Sequence, residues 1–166
     1  MARAQGKNRA VEVYHPNREI AAVQGTRVVV VLLLLASAGL MILVAVGGWN
    51  ALAGQQAVQI GFIIVYLLLA YYAARWSRGA LAFSMVSAVI LGIIALVAAP
   101  SWFDRNHPGF ASTALPADVL GLFTILLVPI QILVIVFAVR GFGQGWNVEE
   151  ERPVRTDLGP ARPRAA

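Results

Sequence analysis

Long apolar segments, separated by short polar stretches, dominate the pattern along this chain. Four of them, at residues 28–48, 57–74, 79–99 and 119–139, contain about twenty residues each and no charged side chain. A helix of that length rises about 30 Å, which matches the hydrocarbon thickness of a bilayer. Amphipathic helices around a water-facing core would instead return to polar residues every turn. The pattern therefore predicts four transmembrane helices.

The first apolar segment has one alternative interpretation, a cleaved signal peptide. Ala51, Leu52 and Ala53 resemble the small-residue site at which such peptides are cut. The polar segment before residue 28 and the apolar run after it are both longer than a signal peptide uses. We therefore interpret residues 28–48 as a true span.

Composition narrows the class of protein. Apolar residues make up 59% of the chain and charged residues only 13%, which is outside the range of soluble domains. The absence of cysteine excludes disulfides and thiolate catalysis. The net charge of +5 comes from basic residues beside the apolar segments, so we read it as a topology signal and expect no nucleic acid partner. Twelve of the thirteen basic residues are arginine, and this bias suggests a bacterial, GC-rich source.

The distribution of lysine and arginine predicts the orientation. Twelve of the thirteen fall in the N-terminal segment, the loop at residues 75–78 or the segment from Arg140 onward, and Arg105 alone lies on the other side. Positive residues accumulate on the cytoplasmic side of membrane proteins. One tryptophan follows each span, at Trp49, Trp76, Trp102 and Trp146, where interfacial aromatic belts occur. We likewise assign the aromatic residues at positions 66, 71 and 72 to the inner belt.

These signals predict an all-α integral membrane protein of the cell (inner) membrane, a four-helix bundle of two up-down hairpins with both termini in the cytoplasm. Residues 1–27 form a cytoplasmic tail, residues 28–140 the membrane domain and residues 141–166 a largely disordered cytoplasmic tail, because that last segment is rich in charge, proline and glycine. The lipid bilayer is the first expected partner.

Small residues predict where the helices pack. In the third span, small side chains recur every fourth residue, so they share one helical face that allows close approach of another helix. In the fourth span, small and polar residues follow a similar stripe, and Leu120 is expected to lie off it, facing lipid. The predicted packing residues are Ala80, Ser84, Ala88, Gly92, Gly121, Thr124 and Pro129.

Gln131 is the most polar side chain deep in a span, and it lies two residues after Pro129. An amide without hydrogen-bond partners in hydrocarbon costs several kcal/mol, so Gln131 must find partners. Proline removes a backbone donor and kinks a helix. The pair could form a broken-helix binding site, but coupled transport usually adds a charged residue, and none is present in the span. We favour a kinked helix with an interhelical hydrogen bond.

The loop after the third span collects aromatic and charged residues. Trp102, Asp104, Arg105 and His107 lie within six positions. Such a loop can contact a partner protein, a lipid or a quinone-like head group. It can also be an interfacial turn in which Asp104 pairs with Arg105, and we favour that interpretation.

Nothing in the spans points to catalysis or to a cofactor or metal, because they contain no carboxylate and no histidine. His15 and His107 fall on opposite sides of the predicted membrane. We therefore expect a non-catalytic membrane protein that acts through its surfaces, as an accessory or assembly subunit or by self-association. The alternative is a carrier of a small solute, lipid or quinone-like ligand, using the kinked fourth helix and the 101–110 loop.

Overall fold

The computed structural model describes residues 11–105, 107 and 109–153, and it is a bundle of four long helices. Each helix is long and apolar enough to span a membrane. The helices are α1 Ala21–Gly47, α2 Gln56–Ala74, α3 Arg78–Phe103 and α4 Ala117–Gly143. Two short strands, β1 Val11–Tyr14 and β2 Glu150–Pro153, and a 3₁₀ turn at Pro16–Glu19 complete the described chain.

The helices form two antiparallel hairpins that pack side by side. α3 and α4 share the largest interface, α1 packs on both α2 and α4, and the seam between α2 and α3 is the smallest. The order around the bundle is therefore α1, α2, α3, α4. We call the end that holds residues 11–27, 75–78 and 140–153 the terminal end, and the end that holds residues 48–55 and 104–116 the loop end.

The helices extend beyond the apolar segments that predicted them. α1 begins at Ala21, seven residues before the predicted start of the first span. α3 was expected to stop before Pro100, but it continues to Phe103. A proline in the last turn removes only one backbone hydrogen bond. Trp102, which is 4% exposed, packs into the bundle and stabilises that turn.

Two hydrophobic clusters fill the bundle. The larger one contains buried residues of all four helices and runs from mid-bundle to the terminal end. The smaller one, at the loop end, joins Val44, Trp102 and Leu120. Leu120 is fully buried, so the expectation that it faces lipid is wrong. Gly48 lies against this cluster, since a Cβ added there would be 2.5 Å from Cη2 of Trp102.

At the terminal end, the chain segments before α1 and after α4 are tied together. β1 and β2 pair in antiparallel register, with Val11 opposite Pro153 and Tyr14 opposite Glu150. Residues 141–153, which the sequence assigned to a largely disordered tail, thus continue α4 and then form a turn and a strand. Residues 154–166 lie outside the described residues. The two strands form a short antiparallel pair beside the four-helix bundle.

Side chains reinforce this connection, which we call the terminal clasp (residues 15–18 and 144–149). Nδ2 of Asn17 donates to the carbonyl oxygens of Gln144 and Gly145, both at 3.1 Å. Nε of Arg18 donates to the carbonyl of Trp146 at 3.2 Å. The backbone turns inward at Gly145, whose φ of +59° suits glycine. These contacts join residues that are 127 or 128 positions apart in the sequence.

Candidate functional site

A buried hydrogen-bond network crosses the middle of the bundle. The hydroxyl of Tyr66 on α2 donates to Oε1 of Gln131 on α4 at 2.6 Å. Nε2 of Gln131 donates to Oγ of Ser37 on α1 at 3.0 Å. Ser37 in turn donates to the carbonyl of Leu33 at 2.9 Å. None of these three side chains is more than 1% exposed. The network therefore ties three helices together inside the apolar core.

The third helix, α3, packs beside this network. A Cβ added at Gly92 on α3 would lie 3.5 Å from Cβ of Gln131, an ordinary van der Waals distance, so the space beside Gln131 admits a methyl group but not a much larger side chain. Because both polar atoms of the Gln131 amide are bonded to protein, the amide has no need of a ligand. The contacts of Gln131 are those of a packed interface between helices.

The other predicted packing residues are distributed as follows. Ala80, Ser84 and Ala88 are buried, and Ser84 donates to the carbonyl of Ala80 at 2.7 Å. On α4, Gly121 and Thr124 are buried. A Cβ added at Gly121 would lie 2.8 Å from Cζ of Phe103, which explains the small residue. By contrast, Pro129 is on the exposed side of α4 and does not face a neighbouring helix.

The aromatic residues occupy positions that differ from the predicted belts. Trp49 is 46% exposed, as an interfacial residue would be, but Trp102 and Trp146 are buried and close the two ends of the bundle. Trp146 packs edge-on against Trp76, with ring centroids 5.4 Å apart. Tyr66 is inside the bundle and not at its surface. The belt assignment is therefore wrong for three of these aromatics.

Sequence reasoning missed Tyr66 and Ser37 as partners of Gln131, although a signal was available. Tyr66 precedes Trp76 by ten residues, a rise of about 15 Å, which places it near mid-span. Ser37 is also near the middle of its apolar segment. Polar residues at the same depth in different spans can satisfy each other. A comparison of how deep the polar residues lie in the different spans would therefore have identified Ser37, Tyr66 and Gln131 as partners.

At the loop end, Arg105 is the residue around which the predicted recognition loop is organised. Its Nη2 donates to the carbonyl of Ala51 at 3.3 Å. Its guanidinium also lies over the rings of Trp102, at 5.3 Å, and Phe110, at 5.7 Å. The expected pairing with Asp104 is thus replaced by backbone and ring contacts. Asp104 and His107 are exposed.

Two grooves open beside Arg105. One, of about 450 Å³, is bounded by the turn after α1 and by the outer side of α3, including Ile94, Val97 and Ser101. The other, of about 460 Å³, is formed mainly by residues 110–117. The structure therefore brings Trp102 and Arg105 of the predicted site together and leaves Gln131 apart from them, in the buried network.

The described histidine, aspartate and glutamate side chains are the remaining candidates for metal binding. Among those residues, no group of three or more histidine, aspartate or glutamate side chains is placed to hold a metal ion. His15 and His107 lie at opposite ends of the bundle, and Nε2 of His15 is 3.6 Å from Oε1 of Glu149. Comparison with protein-family models, curated proteins and solved structures found no match to this chain.

Proposed function

We propose that this chain is a small non-catalytic membrane protein that acts through its surfaces, as an accessory or assembly subunit or by self-association. The observation that carries the proposal is the closed network at Gln131. The deepest polar side chains of the spans are used to hold the bundle together. The surfaces left for contact with another molecule are the outer faces of the helices and the two ends of the bundle.

The outer surface offers places where another helix can approach closely. Gly39 on α1 and Gly61 on α2 are exposed, and a Cβ added at either would have no neighbour within 4 Å. Nε2 of Gln59 donates to the carbonyl of Met41 at 3.0 Å, so the two glycines lie at about the same depth. Exposed glycines in spans favour close helix contacts. This arrangement supports assembly through the α1–α2 hairpin.

The test uses substitutions that the bundle itself has room for. Gly39→Leu and Gly61→Leu add volume only outside the protein, and leucine also favours helix more than glycine does. The mass of the purified protein in mild detergent, with any stoichiometric subunit, should fall toward that of the single chain. Val97→Leu, at an exposed position on α3, is the matched control. Unchanged assembly in both glycine variants would refute contact through this hairpin.

We further propose that the helices cross the cell (inner) membrane of a bacterium with both termini in the cytoplasm. The charge distribution supports this orientation, because twelve of the thirteen basic residues in the sequence precede residue 28, fall within residues 75–78 or follow residue 139, and the six of them that the structure describes lie at the terminal end. The chain lacks cysteine, so single cysteines can be labelled without background. Ser112→Cys, in an exposed loop-end position, should react with an impermeant reagent in intact cells. Val148→Cys, exposed at the terminal end, should react only after permeabilisation, and the reverse pattern would overturn the orientation.

The alternative function, a carrier of a solute, lipid or quinone-like molecule, uses the kinked fourth helix and the 101–110 loop, and one version of it makes Gln131 a mid-span ligand contact. An amide that is fully enclosed and bonded to Tyr66 and Ser37 argues against that version. Reconstituted protein should therefore give vesicles no greater solute permeability than protein-free vesicles. Permeability that depends on Gln131 would favour the carrier.

A further inference from the structure

The groove between the turn after α1 and the outer side of α3 has a polar and an apolar half. Its apolar wall consists of Ile93, Ile94 and Val97, which continue the outer surface of a helix apolar enough to span a membrane. Val97 is 73% exposed. At the loop end of the same groove, Gln55, Ser101 and Arg105 supply polar groups. The groove thus changes from apolar to polar along the direction of the bundle axis.

Arg105 is held in place at the polar half. The carbonyl of Ala51 accepts from Nη2, and the rings of Trp102 and Phe110 lie on the guanidinium. These contacts use one of the five N–H donors of the side chain, and the others make no hydrogen bond to another residue that the structure describes. A guanidinium fixed in this way has already lost the freedom that binding would cost. It is suited to a phosphate group.

Among the residues that the structure describes, Arg105 is the one lysine or arginine at this end, where the carboxylates of Asp104 and Asp118 also lie. The other six lysines and arginines among the described residues lie at the terminal end, within residues 18–27, 75–78 and 140–152. Arg105 also borders the second groove, beside residues 110–117, which gives a head group room on the side away from the apolar wall. Asp104, the neighbouring carboxylate, is exposed and is not part of either groove wall.

From this arrangement we infer that the groove binds one anionic phospholipid, with its phosphate at Arg105 and an acyl chain along Ile94 and Val97. Two features select this occupant over a soluble anion. The phosphate-binding group lies at the polar limit of a membrane-length apolar surface, which is where lipid phosphates lie. The groove also continues into that surface, where only an apolar chain gains by binding. The inference does not depend on whether the chain assembles with other subunits.

The test is a lipid titration of the purified full chain in detergent, followed by native mass spectrometry. Phosphatidylglycerol and phosphatidylcholine with the same acyl chains are compared. One phosphatidylglycerol should bind in preference, and Arg105→Gln should weaken that binding by roughly tenfold, because a charge-assisted hydrogen bond is lost. Arg140→Gln removes the same charge from an exposed position at the terminal end and should leave the preference within about twofold.

Two further variants separate a lost site from a damaged fold. Arg105→Lys keeps the charge and should retain part of the preference. Val97→Trp fills the apolar half at an exposed position and should weaken both lipids while the thermal midpoint stays near that of the unaltered protein. Equal binding of the two lipids, or equal effects of Arg105→Gln and Arg140→Gln, would overturn the inference. Displacement of the lipid by millimolar glycerol phosphate would overturn it too, since a soluble phosphate would then be the ligand.

Discussion

Replacing Gln131 with leucine tests whether the buried network stabilises the bundle. Leucine has a similar size, so the change removes two hydrogen bonds and creates little empty space. Hydrogen bonds between membrane helices contribute about 0.6 kcal/mol each on average and about 1.7 kcal/mol at most. The hydroxyl of Tyr66 also loses its acceptor in a fully enclosed position, which costs about 1–3 kcal/mol. Ser37 is spared that cost, because it still donates to the carbonyl of Leu33.

We therefore expect Gln131→Leu to lower the free energy of unfolding by about 2–4 kcal/mol. Tyr66→Phe removes one hydrogen bond and leaves Oε1 of Gln131 without that donor, so the free energy of unfolding should fall by about 1 kcal/mol. The double variant, Gln131→Leu with Tyr66→Phe, lacks both the amide and the phenol hydroxyl, so neither group is buried without its partner. Its loss should be smaller than the sum of the single losses by about 1 kcal/mol. Tyr72→Phe, at an exposed position of the same helix, should change stability by less than about 0.5 kcal/mol.

The measurement is reversible unfolding in mixed micelles with increasing dodecyl sulfate, followed by tryptophan fluorescence. The four proteins of the cycle give the coupling energy between positions 66 and 131 directly. If the losses of stability in the two single variants sum to the loss in the double variant within about 0.3 kcal/mol, the proposed network is refuted. A Gln131→Leu protein of unaltered stability that loses a co-purifying molecule would refute the structural role as well, and it would indicate a mid-span ligand site.

Three further substitutions test the packing, and each has a matched control. Gly92→Leu places a side chain against the buried amide and should cost about 1–3 kcal/mol, whereas Gly39→Leu, with open space around it, should not lower stability in detergent. Gly48→Ala puts a methyl group 2.5 Å from an indole carbon and should lower the thermal midpoint, whereas Gly39→Ala should leave or raise it. Trp146→Ala should cost about 3–5 kcal/mol and expose the N-terminal segment to protease, while Trp49→Ala, at a half-exposed position, should do neither. Equal effects within any pair would contradict the corresponding contact.

The helices were predictable from sequence because apolar length is a strong and local signal. Residues 57–74 were the shortest of the four apolar segments, and they nevertheless form most of α2. Helix ends were less predictable. A span is recognised by its uncharged residues, while a helix continues as long as its backbone hydrogen bonds can form, as α1 does through Gln24 and Arg27.

The positions of individual side chains were harder to predict, because apolar residues face both lipid and protein in a membrane bundle. Leu120 is fully buried and Leu122 is 58% exposed, yet hydropathy treats them alike. Only the contacts of a neighbouring helix distinguish them. For the candidate site, the importance of Trp102 and Arg105 was visible in the sequence. The backbone contact of Arg105 with Ala51 joins two distant loops, and no local pattern reports such a contact.

The terminal clasp has a consequence for the order of events during synthesis. In a chain made from the N-terminus, Asn17 and Arg18 are complete long before their partners at Gln144 to Asn147 exist. The clasp can therefore close only after α4 has been made and its C-terminal end lies beside the start of α1. In the proposed membrane topology, a chain in which one helix failed to cross would have the two segments on opposite sides of the bilayer. In that topology, closure of the clasp would distinguish a correctly inserted chain from one that has skipped a span.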